Sequence, residues 1–158
     1  MVRTPTHAIL DENEQVIELV FPFADGTLPT GAVPYLPAAQ EAKWELVKAK
    51  RLTVERGGAT TPLGVMDTDP ESQRKVNGLV TMAMLALQNA QPFLQPFTMQ
   101  DNSVVDHDAA QMITAGVAVG QHVSDCHAVA RTLRDAIDAA TTIAEVDAID
   151  IEGANWPS

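Results

Sequence analysis

The most regular pattern of apolar positions in the chain lies between Asp108 and Ala140, a segment without proline. Apolar or small residues recur there at alternating spacings of four and three, which is the pattern of one helix packed against another. The pattern predicts a single helix of about 50 Å. Its seam consists of Met112, Gly116, Val119, Val123, Cys126, Ala130, Leu133, Ile137 and Ala140.

A second segment has the same rhythm and starts at Asp69-Pro70, a typical helix start with an N-cap carboxylate followed by proline. This helix is expected to run to about Ala90, with a stripe that faces the long helix: Val76, Val80, Ala83, Leu87 and Ala90. Two interpretations are open. The long helix packs against this second helix as a hairpin, or copies of the chain wind together as a coiled coil. Small seam residues such as Gly116 and Ala130 favour the hairpin, because larger residues are usual in coiled coils.

Shorter patterns complete the predicted fold. Residues 7–20 alternate in the manner of a β-hairpin around the polar turn 11–14, and a Pro- and Gly-containing loop follows. A helix from Pro37 ends at Gly57-Gly58, two short strands follow within 59–67, and a hairpin with a polar turn lies within 97–106. Thr142 and Glu145 form the capping box of a last short helix.

These elements predict an α+β fold, mainly α. A small N-terminal β-hairpin module is followed by a helical domain that is built on a long helical hairpin with a short β-hairpin insert. The domain boundaries are expected at 1–36, for the N-terminal hairpin with its Pro-rich linker, and at 37–158, for the mainly helical domain.

Composition narrows the classes of function. The 158 residues carry 21 acidic and 10 basic side chains, a net charge of −11, which disfavours nucleic acid as a partner. The single cysteine excludes a disulfide within the chain, and the absence of a long apolar run predicts no membrane span. The N-terminal residues lack the form of a secretory signal.

Candidate chemistry is sparse. His122 and Cys126 lie four residues apart, as in half a metal site, but a zinc site needs three or four ligands. Asp67, Asp69 and Glu71 resemble the start of a calcium loop whose later positions fail, so helix capping explains them better. The segment 106–108, Asp-His-Asp, lies near Ser103 without a nucleophile motif. We therefore expect no catalytic, cofactor-binding or metal-ligating residues, and no enzyme.

Several segments, taken in order, carry a family resemblance over roughly residues 50–157: Lys50-Arg51, Gly57-Gly58, Met66–Asp69, Arg74, Met99–Asn102, Val104-Val105, Asp108–Met112, His122, Leu133–Ala140, Val146–Asp150 and Trp156-Pro157. This part of the chain resembles an uncharacterised domain family that recurs in tail and tail-fibre proteins of tailed bacteriophages. The first 45 residues resemble the strand–turn–strand leaders of tail-fibre and fibre-assembly proteins.

The resemblance implies a structural protein of a phage tail, in the tail tip, the baseplate or the fibre attachment. Its partners would be other tail proteins, its location the virion, and its place of synthesis the cytoplasm of the bacterial host. A homo-oligomer, preferably a trimer, is expected. Two alternatives stay open: a tail-fibre assembly chaperone that leaves the virion, and a small hydrolase that uses Asp106, His107 or His122. The candidate attachment residues are Ile9, Val16, Ile17, Leu19 and Trp44.

Overall fold

The computed structural model of the chain describes residues 5–23 and 27–157. Its contacts group into two compact units, one formed by residues up to Lys48 with Arg131–Gly153, the other by Ala49–Ala130 with the residues from Ala154 onward. Two long helices contribute residues to both units, and the expected boundary between residues 36 and 37 stays a prediction. The predicted fold class is confirmed: strands precede helices, the sheets are small, and helix dominates.

The first unit contains a three-stranded antiparallel sheet of β1 (His7–Leu10), β2 (Val16–Val20) and β3 (Val33–Pro34), in the order β2-β1-β3. The predicted hairpin is formed by β1 and β2. Its turn is closed by Asp11, whose Oδ1 accepts from the backbone N–H of Asn13 and of Gln15, both at 2.9 Å. Strand β3 lies where the sequence predicts only a loop. Its two residues form a strand because they pair with the edge of β1 that faces away from β2.

In the first unit, a side chain of one helix caps the end of another. Helix α1 (Leu36–Glu55) starts in this unit, and the end of the long helix α3 (Ala109–Ala139) returns to it. The Gln40 side-chain amide donates to the carbonyls of Ile137 at 2.9 Å and Ala140 at 3.2 Å, at the C-terminal end of α3. The predicted capping box of Thr142 and Glu145 starts the short helix α4 (Ile143–Ala148).

The second unit contains two hairpins and one whole helix. Strands β4 (Ala59–Thr61) and β5 (Gly64–Met66) pair, helix α2 (Pro70–Gln88) follows, and β6 (Leu94–Thr98) pairs with β7 (Val104–Asp108). Helix α1 ends at the predicted glycines, where Gly58 has a φ of 104° that disfavours any side chain.

Asp69 caps α2 as its sequence predicts. Its carboxylate accepts from the N–H of Glu71 at 2.8 Å and of Ser72 at 3.3 Å, and from the Ser72 hydroxyl. The hydroxyl donor, followed by the two N–H donors, lowers the pKa of Asp69, since each of them favours the ionised form. Of the acids that resemble a calcium loop, Asp69 is thus explained as the helix cap and Glu71 as an acid of the first helical turn.

The core of the second unit lies between α2, the two hairpins and the first three turns of α3. Its members are apolar residues with at most 9% of their surface exposed: Ala59, Met66, Val76, Ala83, Phe97, Met99, Ala109, Met112, Ala115 and Val119.

Candidate functional site

The predicted seam of α3 lies mostly on the buried side of that helix. Six of its nine residues are buried: Met112, Val119, Cys126, Ala130, Leu133 and Ile137. Gly116, Val123 and Ala140 are half-buried. Ala115 is buried instead of Gly116, and His122 is buried instead of Val123. A straight helix of 3.6 residues per turn drifts from a strict seven-residue repeat, and the buried line drifts with it.

The facing stripe of α2 meets α3 at one close point. An ideal Cβ on Gly116 would lie 2.4 Å from the Cγ2 of Val80 and 3.8 Å from the Cγ1 of Val76. The absence of a side chain at Gly116 therefore sets how closely the two helices approach. Val76 and Ala83 are buried and Val80 is half-buried.

Beyond Ala83 the predicted stripe is not covered. Leu87 is 57% exposed, and Ala90 lies after the end of α2 with a φ of 52°. The expectation that the stripe continues to Ala90 is wrong at that end, since the helix ends at Gln88.

His122 and Cys126 lie together, but their hydrogen bonding does not create a reactive pair. The Nε2–H of His122 donates to the Val54 carbonyl at 3.1 Å, so this nitrogen cannot accept the thiol proton of Cys126, whose Sγ lies 3.9 Å away. The other ring nitrogen, Nδ1, is buried without a hydrogen-bond partner. Within residues 5–23 and 27–157, no three His, Cys, Asp or Glu side chains are placed to hold a metal ion.

The Cys126 thiol is expected to be inert in the folded protein. Burial, followed by the negative charges of Glu55 and Asp125, raises its pKa to about 11. At pH 8 the folded thiolate fraction is then roughly a hundredfold or more below that of an unfolded cysteine with a pKa of about 8.5. Labelling by 5,5′-dithiobis(2-nitrobenzoate) at pH 8 should be at least tenfold slower in the native protein than in 6 M guanidinium chloride. Equal rates would contradict the buried, protonated thiol.

The Asp-His-Asp segment is divided between the two faces of β7. His107 is fully buried, donates from Nδ1 to the Val105 carbonyl at 2.9 Å, and has its ring 6.2 Å from that of Phe97. Asp106 and Asp108 lie on the exposed face, and Asp108 accepts from the N–H of Gln111 at 2.8 Å at the start of α3. The strand therefore does not bring the two carboxylates to the imidazole.

His107 is a core residue that the sequence did not reveal as one. Its Nε2 is buried without a hydrogen-bond partner. The side chain borders a cavity of about 310 Å³ between the β4–β5 turn and the first turns of α3. In a strand, alternate residues face the same side, so His107 shares the inward face with Val105. This alternation was the sequence signal that could have placed His107 in the core.

The candidate attachment residues fall into two groups. Val16, Ile17 and Leu19 on β2 are 50%, 64% and 43% exposed, whereas Ile9 on the central strand is half-buried. Trp44 is half-buried as well, with the guanidinium carbon of Arg134 5.2 Å from its ring centroid. Its ring is thus used in a cation–π contact within the first unit.

Comparison with known proteins identifies the family to which the chain belongs. A family model described as a domain of unknown function, DUF4376, matches residues 38–151. The chain belongs to this family. No curated protein and no solved structure matches it significantly.

The DUF4376 segment contains the whole seam of α3 and the facing residues of α2. The predicted resemblance to an uncharacterised domain family is thereby confirmed. The N-terminal sheet lies before the matched residues, so β2 and its exposed side chains are an addition to the DUF4376 domain in this chain. Among the described residues, no helix has both the length and the hydropathy that a membrane span requires.

Proposed function

We propose that this DUF4376 protein is a structural component of a bacteriophage tail, at the tail tip, the baseplate or the fibre attachment. It acts through protein–protein contacts with other tail proteins, as a homo-oligomer, with a trimer favoured. Its site of action is the tail of the virion, after synthesis in the host cytoplasm. The sequence resemblance to a domain family of tail and tail-fibre proteins supports this setting.

The observation that carries the proposed mode of action is the outer edge of β2. In the order β2-β1-β3, the edge of β2 away from β1 has no strand partner within the described residues. Among the described strands only β1 pairs with β2, so the outer edge of β2 can accept an added strand, and main-chain hydrogen bonds supply affinity in such complexes. Val16 and Ile17 extend from successive positions of β2 and are at least half exposed, so both faces of the edge offer apolar contact.

Exposure of these side chains also argues for a partner. Phe21 and Phe23, which follow β2, are 40% and 58% exposed, so apolar surface continues past the end of the strand. Monomeric proteins rarely expose contiguous apolar patches of large size unless the patch is functional. The N-terminal sheet is therefore proposed as the attachment module, and the DUF4376 domain as the part that supports or oligomerises it.

The decisive experiment is quantitative mass spectrometry of purified particles of a phage that encodes the chain. A fixed copy number per particle is expected. Its absence from particles, together with its presence in lysates, would instead assign it to tail-fibre assembly as a chaperone.

The attachment edge is tested by Ile17→Lys, which places a charge on an exposed position without touching the core. In a phage that lacks the native gene and is supplied with the variant, incorporation into particles should fall at least tenfold, since strand addition would bury the new ammonium group. Val104→Lys on β7, where the native residue is 66% exposed, is the matched control and should be incorporated normally. Normal incorporation of Ile17→Lys would remove β2 from the attachment.

A further inference from the structure

The cavity beside His107 has a buried floor and an open mouth. Its volume is about 310 Å³, and its floor consists of three residues that are at most 7% exposed: Thr61, His107 and Ala115. Leu63 is half-buried at its side, and the rim consists of four exposed residues: Pro62, Ala110, Gln111 and Thr114. None of these eight lining residues is Asp, Glu, Lys or Arg.

The floor of the cavity contains a hydrogen-bond acceptor that is not used. The Val105 carbonyl can only accept a hydrogen bond, so Nδ1 of His107, at 2.9 Å from it, carries the proton. In the neutral ring Nε2 then offers a lone pair, and among the described residues nothing donates to it. A buried acceptor without a donor is unfavourable. The floor therefore favours an occupant that brings an O–H or N–H group.

The two threonines of the cavity do not supply this donor. The hydroxyl of Thr61 donates to the Gly64 carbonyl at 2.7 Å. The hydroxyl of Thr114 donates to the Ala110 carbonyl at 2.9 Å. Each hydroxyl has one hydrogen, and the backbone takes both of them. The donor to His107 must therefore come from a molecule that enters the cavity.

The size and the walls of the cavity favour a molecule larger than water. A water molecule occupies about 30 Å³ of the liquid, so the cavity has room for roughly ten. Pro62, Leu63, Ala110 and Ala115 offer apolar side chains, and an apolar group gains free energy when it displaces poorly ordered water from such walls. An apolar cavity of roughly 150 Å³ takes up benzene, so one substituted ring fits into this larger cavity.

We infer that this cavity binds a small uncharged molecule with an apolar body and one hydroxyl group, which donates to Nε2 of His107. Charge excludes the ionic relatives of such a molecule. The net charge of −11 repels anions, and no carboxylate lines the cavity to neutralise a cation. The cavity lies within the DUF4376 segment and includes no residue of β2, so this binding function is separate from the proposed attachment.

Phenol and toluene test the inference, because they differ only by a hydroxyl in place of a methyl group. Titration of the full chain, followed by the NMR signals of the backbone amides of residues 61–64 and 107–115, gives the Kd of each. Removing the hydroxyl from water is costly, so an apolar cavity alone would prefer toluene. The native chain should instead bind phenol at least threefold more tightly. A preference for toluene, or the binding of neither, would overturn the inference.

His107→Phe keeps a ring on the floor of the cavity and removes the acceptor. The preference should reverse, so that this variant binds toluene more tightly than phenol. His127→Phe is the matched control, because its side chain is 43% exposed on α3 and does not line the cavity, and it should keep the preference for phenol. An unchanged preference in His107→Phe would show that the hydroxyl does not bind there and would overturn the inference.

Ala110→Trp tests the cavity without a change in the core. Ala110 is exposed at the rim, so the variant should fold, as measured by circular dichroism, while the indole obstructs the mouth. Its affinity for phenol and for toluene should fall at least tenfold. Val117→Trp, on the same helix at a residue that is 66% exposed and outside the cavity, should bind both as the native chain does. Native affinity of Ala110→Trp for phenol would overturn the inference, even where His107→Phe does not fold.

Discussion

Replacing Gly116 with leucine should lower the free energy of unfolding by about 3 kcal/mol, at the upper end of the usual cost of overpacking. The first added atom would lie 2.4 Å from the Val80 Cγ2, well inside contact distance, so α2 and α3 must move apart or Val80 must leave its rotamer. The gain in helix propensity on losing a glycine, up to about 1 kcal/mol, offsets only part of this cost. Urea denaturation followed by circular dichroism measures the change.

Gly120, one turn along the same helix, is the matched control. A Cβ there meets nothing within 4 Å, so Gly120→Leu should raise stability by up to about 1 kcal/mol through helix propensity alone. Val80→Ala combined with Gly116→Leu should recover part of the loss, because the clash disappears with the valine methyls. Equal effects at residues 116 and 120 would show that Gly116 does not set the approach of the helices.

Replacing Met112 with alanine should lower the free energy of unfolding by about 2–5 kcal/mol. Met112 is fully buried in the core of the second unit, one turn before Gly116, and the shorter side chain leaves a cavity there. The same denaturation experiment measures this change.

Val117→Ala is the comparison for Met112 on the same helix. Val117 is 66% exposed, so its truncation should change stability by less than about 0.5 kcal/mol. A loss below about 1 kcal/mol for Met112→Ala would mean that the core around α3 collapses readily or is not packed as described.

Elements with a local chemical signal could be predicted from the sequence. Asp69-Pro70 starts α2 because the carboxylate and the proline act on the nearest backbone groups, and the Thr142–Glu145 capping box is equally local. The long α3 follows from a seam sustained over many turns without proline. These signals need no knowledge of the rest of the chain.

Features that depend on distant residues could not be predicted. Strand β3 is two residues long and exists because β1 offers it an edge, and the Trp44–Arg134 contact joins residues ninety positions apart. His107 is a different case: the local alternation of β7 could have placed it in the core, but a histidine between two aspartates suggested chemistry instead. The division into two units is likewise a matter of tertiary contacts.

The predicted contact surface of α2 was only partly right, because its extent also depends on distant residues. The spacing of apolar residues identifies which residues of α2 share a face. It does not show how far the facing helix covers that face. Leu87 was therefore predicted to contact α3, whereas it is exposed.

Strand β2 contains one charged residue, Glu18, in the middle of the apolar sequence Val-Ile-Glu-Leu-Val. An open strand of this composition can also stack on its own copies, which is how fibrous aggregates begin. Identical strands paired in register would bring the carboxylates of two Glu18 residues together. A different strand with a lysine or arginine directly opposite Glu18 would neutralise the carboxylate. The carboxylate of Glu18 should therefore disfavour the in-register stacking of identical β2 strands.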